Sequence, residues 1–222
     1  MARTYKWLGG IGYILTFIPY VNFISSILVA IAWILMGRDT RERVFTILGV
    51  LMIVLFAVSI ILVVAVFASL WMWMIPLGMR GHEMGMPLPR LGSFIWLIIA
   101  AALIILGLAI AMFIFDIVAH FRAAGIFDNR WFKLGGWLRI GTLIALAVAI
   151  PLIVISVLST GLQGLLTGFA PGELPVGILL SILWPLAIVL VISFLAIIFS
   201  IVAFFTIPEE EVPQPEPSAE QG

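Results

Sequence analysis

Residue types able to do chemistry are concentrated in two short stretches of this chain. The first is Trp71 to Met86, which holds five of the nine methionines and one of the two histidines. Soft thioethers beside an imidazole suit Cu(I), and Met79, His82, Met84 and Met86 form the candidate metal set, with Gly78, Gly81 and Gly85 free to let them converge. No strict ligand spacing is present, and Arg80 opposes a cation. Methionine also fills irregular apolar contacts, so a loop resting on lipid or another subunit is the preferred reading. The second stretch is Asp116 and His120, four residues apart and able to face one another on a helix. They could form a proton or cation site at the cytosolic edge. An interfacial ion pair closing the helix accounts for them more simply.

Much else is missing. The chain contains no cysteine, so disulfides, thiolate metal sites and cysteine nucleophiles are excluded. No Asp, Glu, Lys, Arg or His falls in the middle of any expected membrane span. Ionisable groups there mark ion paths and proton relays. The polar stock of the spans is Thr16, Asn22, Ser25, Ser26, Ser59, Thr142, Ser156, Ser181, Ser193 and Ser200. A hydroxyl without a base is no nucleophile, and these residues read as helix-to-helix or back-bonding groups. No catalytic residue and no cofactor are assigned, and the expectation is a protein that is not an enzyme.

The elements that position these groups follow from composition. Of 222 residues, 64% are hydrophobic and 10% charged, with a mean hydropathy of +1.30. A soluble domain is about 25% charged; this one reads as an all-α, polytopic transmembrane helical bundle in the cell membrane. Its partner is the lipid bilayer, and nucleic acid is excluded. Six helices are expected, at about 5–18, 22–36, 44–68, 91–117, 137–158 and 176–205, within one domain of residues 1–207. A segment near the outer headgroups is expected after 68.

The first two helices are separated by Ile18-Pro19-Tyr20-Val21-Asn22, since proline removes a backbone donor and Asn favours a helix start. As a short hairpin, they place nine basic residues on one side: Arg3, Lys6, Arg38, Arg41, Arg43, Arg122, Arg130, Lys133 and Arg139. Only Arg80 and Arg90 fall on the other. By the positive-inside rule, both termini are cytoplasmic. Residues 208–222, rich in Pro and Glu, read as a disordered acidic tail. Gly161, Gly164, Gly168 and Gly172 suggest an interfacial or re-entrant helix, and Gly107 with Ala111 suggests a close helix crossing.

Leu8-Gly9-Gly10 recurs as Leu134-Gly135-Gly136, which fits two halves of three helices each. The opening Leu8-Gly9-Gly10-Ile11-Gly12 with its Pro19 break is one of three motifs that point to a family. The others are Ala123-Ala124-Gly125-Ile126-Phe127 leading to Gly135-Gly136 and Ile140-Gly141, and Ala203-Phe204-Phe205-Thr206-Ile207-Pro208. Together they resemble an uncharacterised, mainly archaeal family of multi-pass membrane proteins. The resemblance implies the same helical fold and supplies no activity, substrate or site residue. The leading functional expectation is a non-enzymatic scaffold or associating subunit, bound to a membrane-protein partner or to itself. A facilitative carrier or pore for a small neutral or lipophilic solute comes second, using breaks at Pro19, Pro151 and Pro185. Extracytoplasmic Cu(I) binding comes third.

Overall fold

The computed structural model describes residues 4–79, 88–167 and 176–209. They form six α-helices: α1 (Thr4–Leu15), α2 (Asn22–Thr40), α3 (Arg43–Met79), α4 (Leu88–Ile126), α5 (Arg130–Thr167) and α6 (Val176–Phe205). Five helices are long and apolar enough to cross a membrane. The exception is α1, whose 12 residues reach only about 18 Å.

α1 and α2 form the expected hairpin. Its tip is the turn at residues 16–21, where Tyr20 takes a left-handed conformation with φ of 69°. Two hydrogen bonds bridge the arms: Thr16 Oγ1 to Ser25 Oγ at 2.7 Å beside the tip, and Tyr5 Oη to Asp39 Oδ2 at 2.9 Å at the open end. Each helix packs on its neighbours in sequence, and α6 returns to α1, so the six close into a ring.

Several helices outrun the expected bounds. α3 continues without a break to Met79, and its stretch long and apolar enough to cross a membrane is Arg43–Ala68, close to the expected 44–68. α4 ends at Ile126 rather than 117, α5 starts at Arg130 rather than 137, and α5 absorbs Gly161 and Gly164 by running to Thr167. The polar residues from 116 to 139 read as a loop because charges punctuate an apolar sequence. Only a three-residue turn occurs there, and Asn129 starts the next helix. Its Oδ1 accepts from Trp131 N at 3.0 Å, the capping bond that satisfies an orphan N–H of a first turn. Gly107 has open space around it, so no close crossing occurs at that point. Residues 210–222, Gly168 and Gly172 lie outside the described residues.

The two Leu-Gly-Gly motifs start at the fifth residue of α1 and the fifth of α5. Equal halves of three helices would pair α1 with α4, so the motif is not the mark of such a duplication. It has a packing cause instead. A Cβ at Gly9 or Gly10 would lie 2.2 or 2.5 Å from the rings of Phe204 and Phe205 on α6, and one at Gly136 would lie 3.1 Å from Phe121. The glycines let two helices seat against aromatic neighbours, and α1 and α5 are the two helices that flank α6.

The core occupies one end of the ring, where α2, α4 and α6 finish and α1, α3 and α5 begin. Trp33, Met36, Phe45, Leu48, Phe132 and Phe204 are fully buried there. Trp33 lies at the centre, its ring 5.4 Å from Phe45, 5.2 Å from His120, 6.1 Å from Phe132 and 5.3 Å from Phe204. Aromatic rings at such spacings and tilts add specificity beyond area burial. Asn129 ties this end shut, donating from Nδ2 to Ala203 O and to Thr206 Oγ1, both at 3.0 Å.

Candidate functional site

A buried polar cluster sits against this aromatic plug. Arg139 lies nine residues into α5, about 14 Å along the helix, and Asp116 lies ten residues before the end of α4, about 15 Å from it. His120 and Ser200 are completely buried, and Arg139 is 6% exposed. Asp116 and His120 therefore lie within α4, not at its end. Arg139 is an intrahelical residue of the core, where the sequence pattern placed it in a loop. Asp116 and His120 fall within the apolar stretch Ile98–Ile126 and Arg139 within Arg130–Ser159, so these ionisable groups lie further from the helix ends than the sequence pattern indicated.

The contacts form a circuit closed across α4, α5 and α6, with a branch to α1. Arg139 Nε donates to Asp116 Oδ2 in a charge-assisted bond. Its Nη1 donates to Ser200 Oγ at 3.1 Å and to Gly135 O at 3.3 Å, and its Nη2 reaches Tyr13 Oη on α1 at 3.4 Å. His120 Nδ1 faces two acceptors, Asp116 O at 2.8 Å and Asp116 Oδ1 at 3.2 Å, so it carries a proton. His120 Nε2 lies 3.2 Å from Ser200 Oγ. The single Ser200 hydroxyl proton has two acceptors in reach, His120 Nε2 and the Ala196 carbonyl at 2.8 Å. Gly135 makes room for the circuit, since a Cβ there would lie 3.2 Å from the His120 ring.

One carboxylate and one guanidinium cancel in charge, which is the condition for ions to persist where water is excluded. Trp33 Nε1 is buried beside the cluster and has no hydrogen-bond partner among the described residues.

Asp116, His120 and Ser200 have the connectivity of a nucleophilic triad: carboxylate to Nδ1, and Nε2 to hydroxyl. Access and charge oppose that chemistry. Ser200 Oγ is sealed and already accepts a proton from Arg139, which withdraws electron density from a nucleophile. A cavity of about 490 Å³ lies elsewhere, on the outer side of the ring where α1 stops, lined by Thr16, Phe17, Leu190, Val191, Ser193 and Phe194 among others. The circuit as built is a staple joining α1, α4, α5 and α6.

No family model, curated protein or solved structure matches this chain.

The metal candidates are not brought together within the described structure. Met79 is the last residue of α3, and His82, Met84 and Met86 lie outside the described residues. Among the described residues, no group of three His, Asp or Glu side chains is placed to hold an ion. Arg139, Tyr13 and Trp33 were missing from the sequence-derived site. The Gly135-Gly136 pair one turn before Arg139 is the signal that could have placed that arginine on a packed helix. Among the hydroxyls, Thr142 back-bonds to Leu138 O at 3.0 Å, and Thr16 and Ser25 bridge two helices.

Proposed function

We propose that this chain is a non-enzymatic membrane scaffold or associating subunit, bound through its lipid-facing helix surfaces to a membrane-protein partner or to a second copy. The observation that carries this reading is the filled axis. Trp33, Phe45, His120, Phe132 and Phe204 meet where a transported solute would have to pass, and all five are fully buried. Away from that end, the helices present broad apolar faces, including Ile61, Leu103, Ile155 and Leu190, each more than 60% exposed. Between lipid and such faces there is no hydrophobic drive, so helix association rests on packing and hydrogen bonding. A rigid inner end suits a support for that packing.

In the proposed orientation, the inner end with both termini is cytoplasmic, because the basic residues gather there. The test is isolation of the full chain from native membranes in polymer-bounded lipid discs, followed by native mass spectrometry. A self-complex or a stoichiometric membrane-protein partner is expected. A lone monomer that passes neutral solutes in proteoliposomes would overturn the reading in favour of a carrier. Copper binding by Met79, His82, Met84 and Met86 is a separate proposal. It is lost if Cu(I) affinity is unchanged when His82→Ala and Met84→Ala are combined.

A further inference from the structure

The cavity of about 490 Å³ lies where the short hairpin leaves part of α6 without a neighbour. The hairpin tip rests on α6 through the rings of Phe17 and Phe194, 5.1 Å apart, and the part of α6 before Phe194 extends beyond it. The walls are apolar, among them Leu190, Val191 and Phe194, and two hydroxyls line the space, Thr16 and Ser193. Thr16 Oγ1 is engaged by Ser25 Oγ at 2.7 Å. Ser193 has no hydrogen-bond partner among the described residues. The hydroxyls of Thr142 and Ser200 hold the carbonyl four residues earlier, and that of Ser193 does not. Ser193 is the twelfth of 24 residues in the apolar stretch Ile182–Phe205, about 18 Å from either end. With this stretch centred in a hydrocarbon core about 30 Å thick, no water reaches that hydroxyl.

We propose that this cavity binds a lipophilic carbonyl compound, with Ser193 Oγ donating to the carbonyl oxygen and the apolar walls holding the rest of the molecule. The volume suits one small molecule, since such sites measure roughly 300–1,000 Å³. The unpartnered hydroxyl selects the chemistry. A polar group left without a hydrogen bond is costly in hydrocarbon. A phospholipid acyl chain brings only methylene and methyl groups to mid-depth, because its ester oxygens lie about 15 Å away at the headgroups. A helix of a second copy or of another protein has its carbonyls taken by its own N–H groups. A ketone or quinone satisfies the hydroxyl and carries no proton of its own to place, unlike an alcohol. Entry is lateral, from the bilayer, and needs no passage through the axis that Trp33 fills. The inference therefore stands apart from the association reading.

The probe is an alkylbenzophenone, itself an apolar ketone, photoactivated with the full-length protein in phospholipid discs and mapped by peptide mass spectrometry. Crosslinks are expected at the hairpin tip and around residues 190–194. Excess long-chain ketone should suppress them, and the matching alkane should not. Ser193→Ala should lower the yield there about fivefold, the effect of losing one hydrogen bond. Leu190→Trp, at a position 68% exposed, should abolish it by filling the mouth, while crosslinks elsewhere on the bundle report an intact fold. An unchanged yield in Ser193→Ala, or equal suppression by the alkane, assigns the groove to ordinary acyl chains and overturns the proposal. Absence of crosslinks at the groove overturns it as well, since a groove covered by a second copy or another protein admits no probe.

Discussion

The two ends of the helical ring are built on different principles. At the inner end, helices are locked by an ion pair, a histidine, aromatic rings and glycine contacts, and Trp33 fills the axis. Towards the outer end, the same helices carry Ile, Leu and Val on most faces, with Ile61 and Leu103 at 65% and 63% exposure. The difference shows where the fold is specified. Apolar side chains gain little from meeting one another when the surroundings are already hydrocarbon, so register and neighbour choice must come from polar geometry and close packing.

The comparison breaks most sharply at Arg139. Arg139→Met leaves the half-buried Asp116 carboxylate without its counter-ion, and losing one partner of a buried pair costs about 3–5 kcal/mol. Denaturation of the purified protein in mild detergent should show this as a large loss of stability. Asp116→Leu combined with Arg139→Met should recover most of it, because the paired removal strands no charge. A double variant as unstable as the single one would mean that the arginine acts through Ser200 and Tyr13 instead.

How far the sequence foretells these two ends also differs. The outer helices were legible from apolar runs alone, and the Pro19–Asn22 break located the hairpin tip. The inner cluster was not, because its charges were read as punctuation. Asp116, Arg122, Arg130 and Arg139 interrupt an apolar sequence in the same way, yet Arg122 and Arg130 are exposed while Arg139 is buried against Asp116. Spacing within one helix could pair Asp116 with His120. It could not show that an arginine on the next helix, folded back by the Asn129 cap, would arrive at the same depth.

A glycine pair sharpens the comparison at intermediate cost. A Cβ at Gly49 would lie 2.5 Å from the Ala30 carbonyl oxygen and 3.1 Å from Ile34 N, both backbone atoms that cannot step aside. Gly49→Ala should therefore destabilise by about 1–3 kcal/mol. Gly107, at the midpoint of α4, meets nothing within 4 Å. There, Gly107→Ala should gain up to about 1 kcal/mol from helix propensity. Equal effects at the two positions would remove the distinction between the close helix contact at Gly49 and the open surface at Gly107.

Asn129→Ala probes the clasp at the inner end. It removes the cap of α5 and the two bonds to α6, and a cap alone is worth about 1 kcal/mol. The expected loss is about 1–2 kcal/mol, with Asn129→Asp restoring the cap and not the donation to Ala203 O. Faster amide exchange at Thr206 and Ile207 in the Ala variant would show that the clasp holds the end of α6. Unchanged exchange would confine the residue to capping.

The smallest effect is expected at Leu103 and Ile61, and it separates folding from association. Each side chain faces outward, so truncation to Ala creates no cavity and should change stability by less than about 0.5 kcal/mol. If these faces are where a partner or second copy docks, the same substitutions should still weaken co-purification from native membranes. A variant that folds as before and loses its complex places the interface on that helix face. A variant whose complex persists moves the interface to another face of the ring, and one that unfolds shows the outer end to be packed against something within the chain.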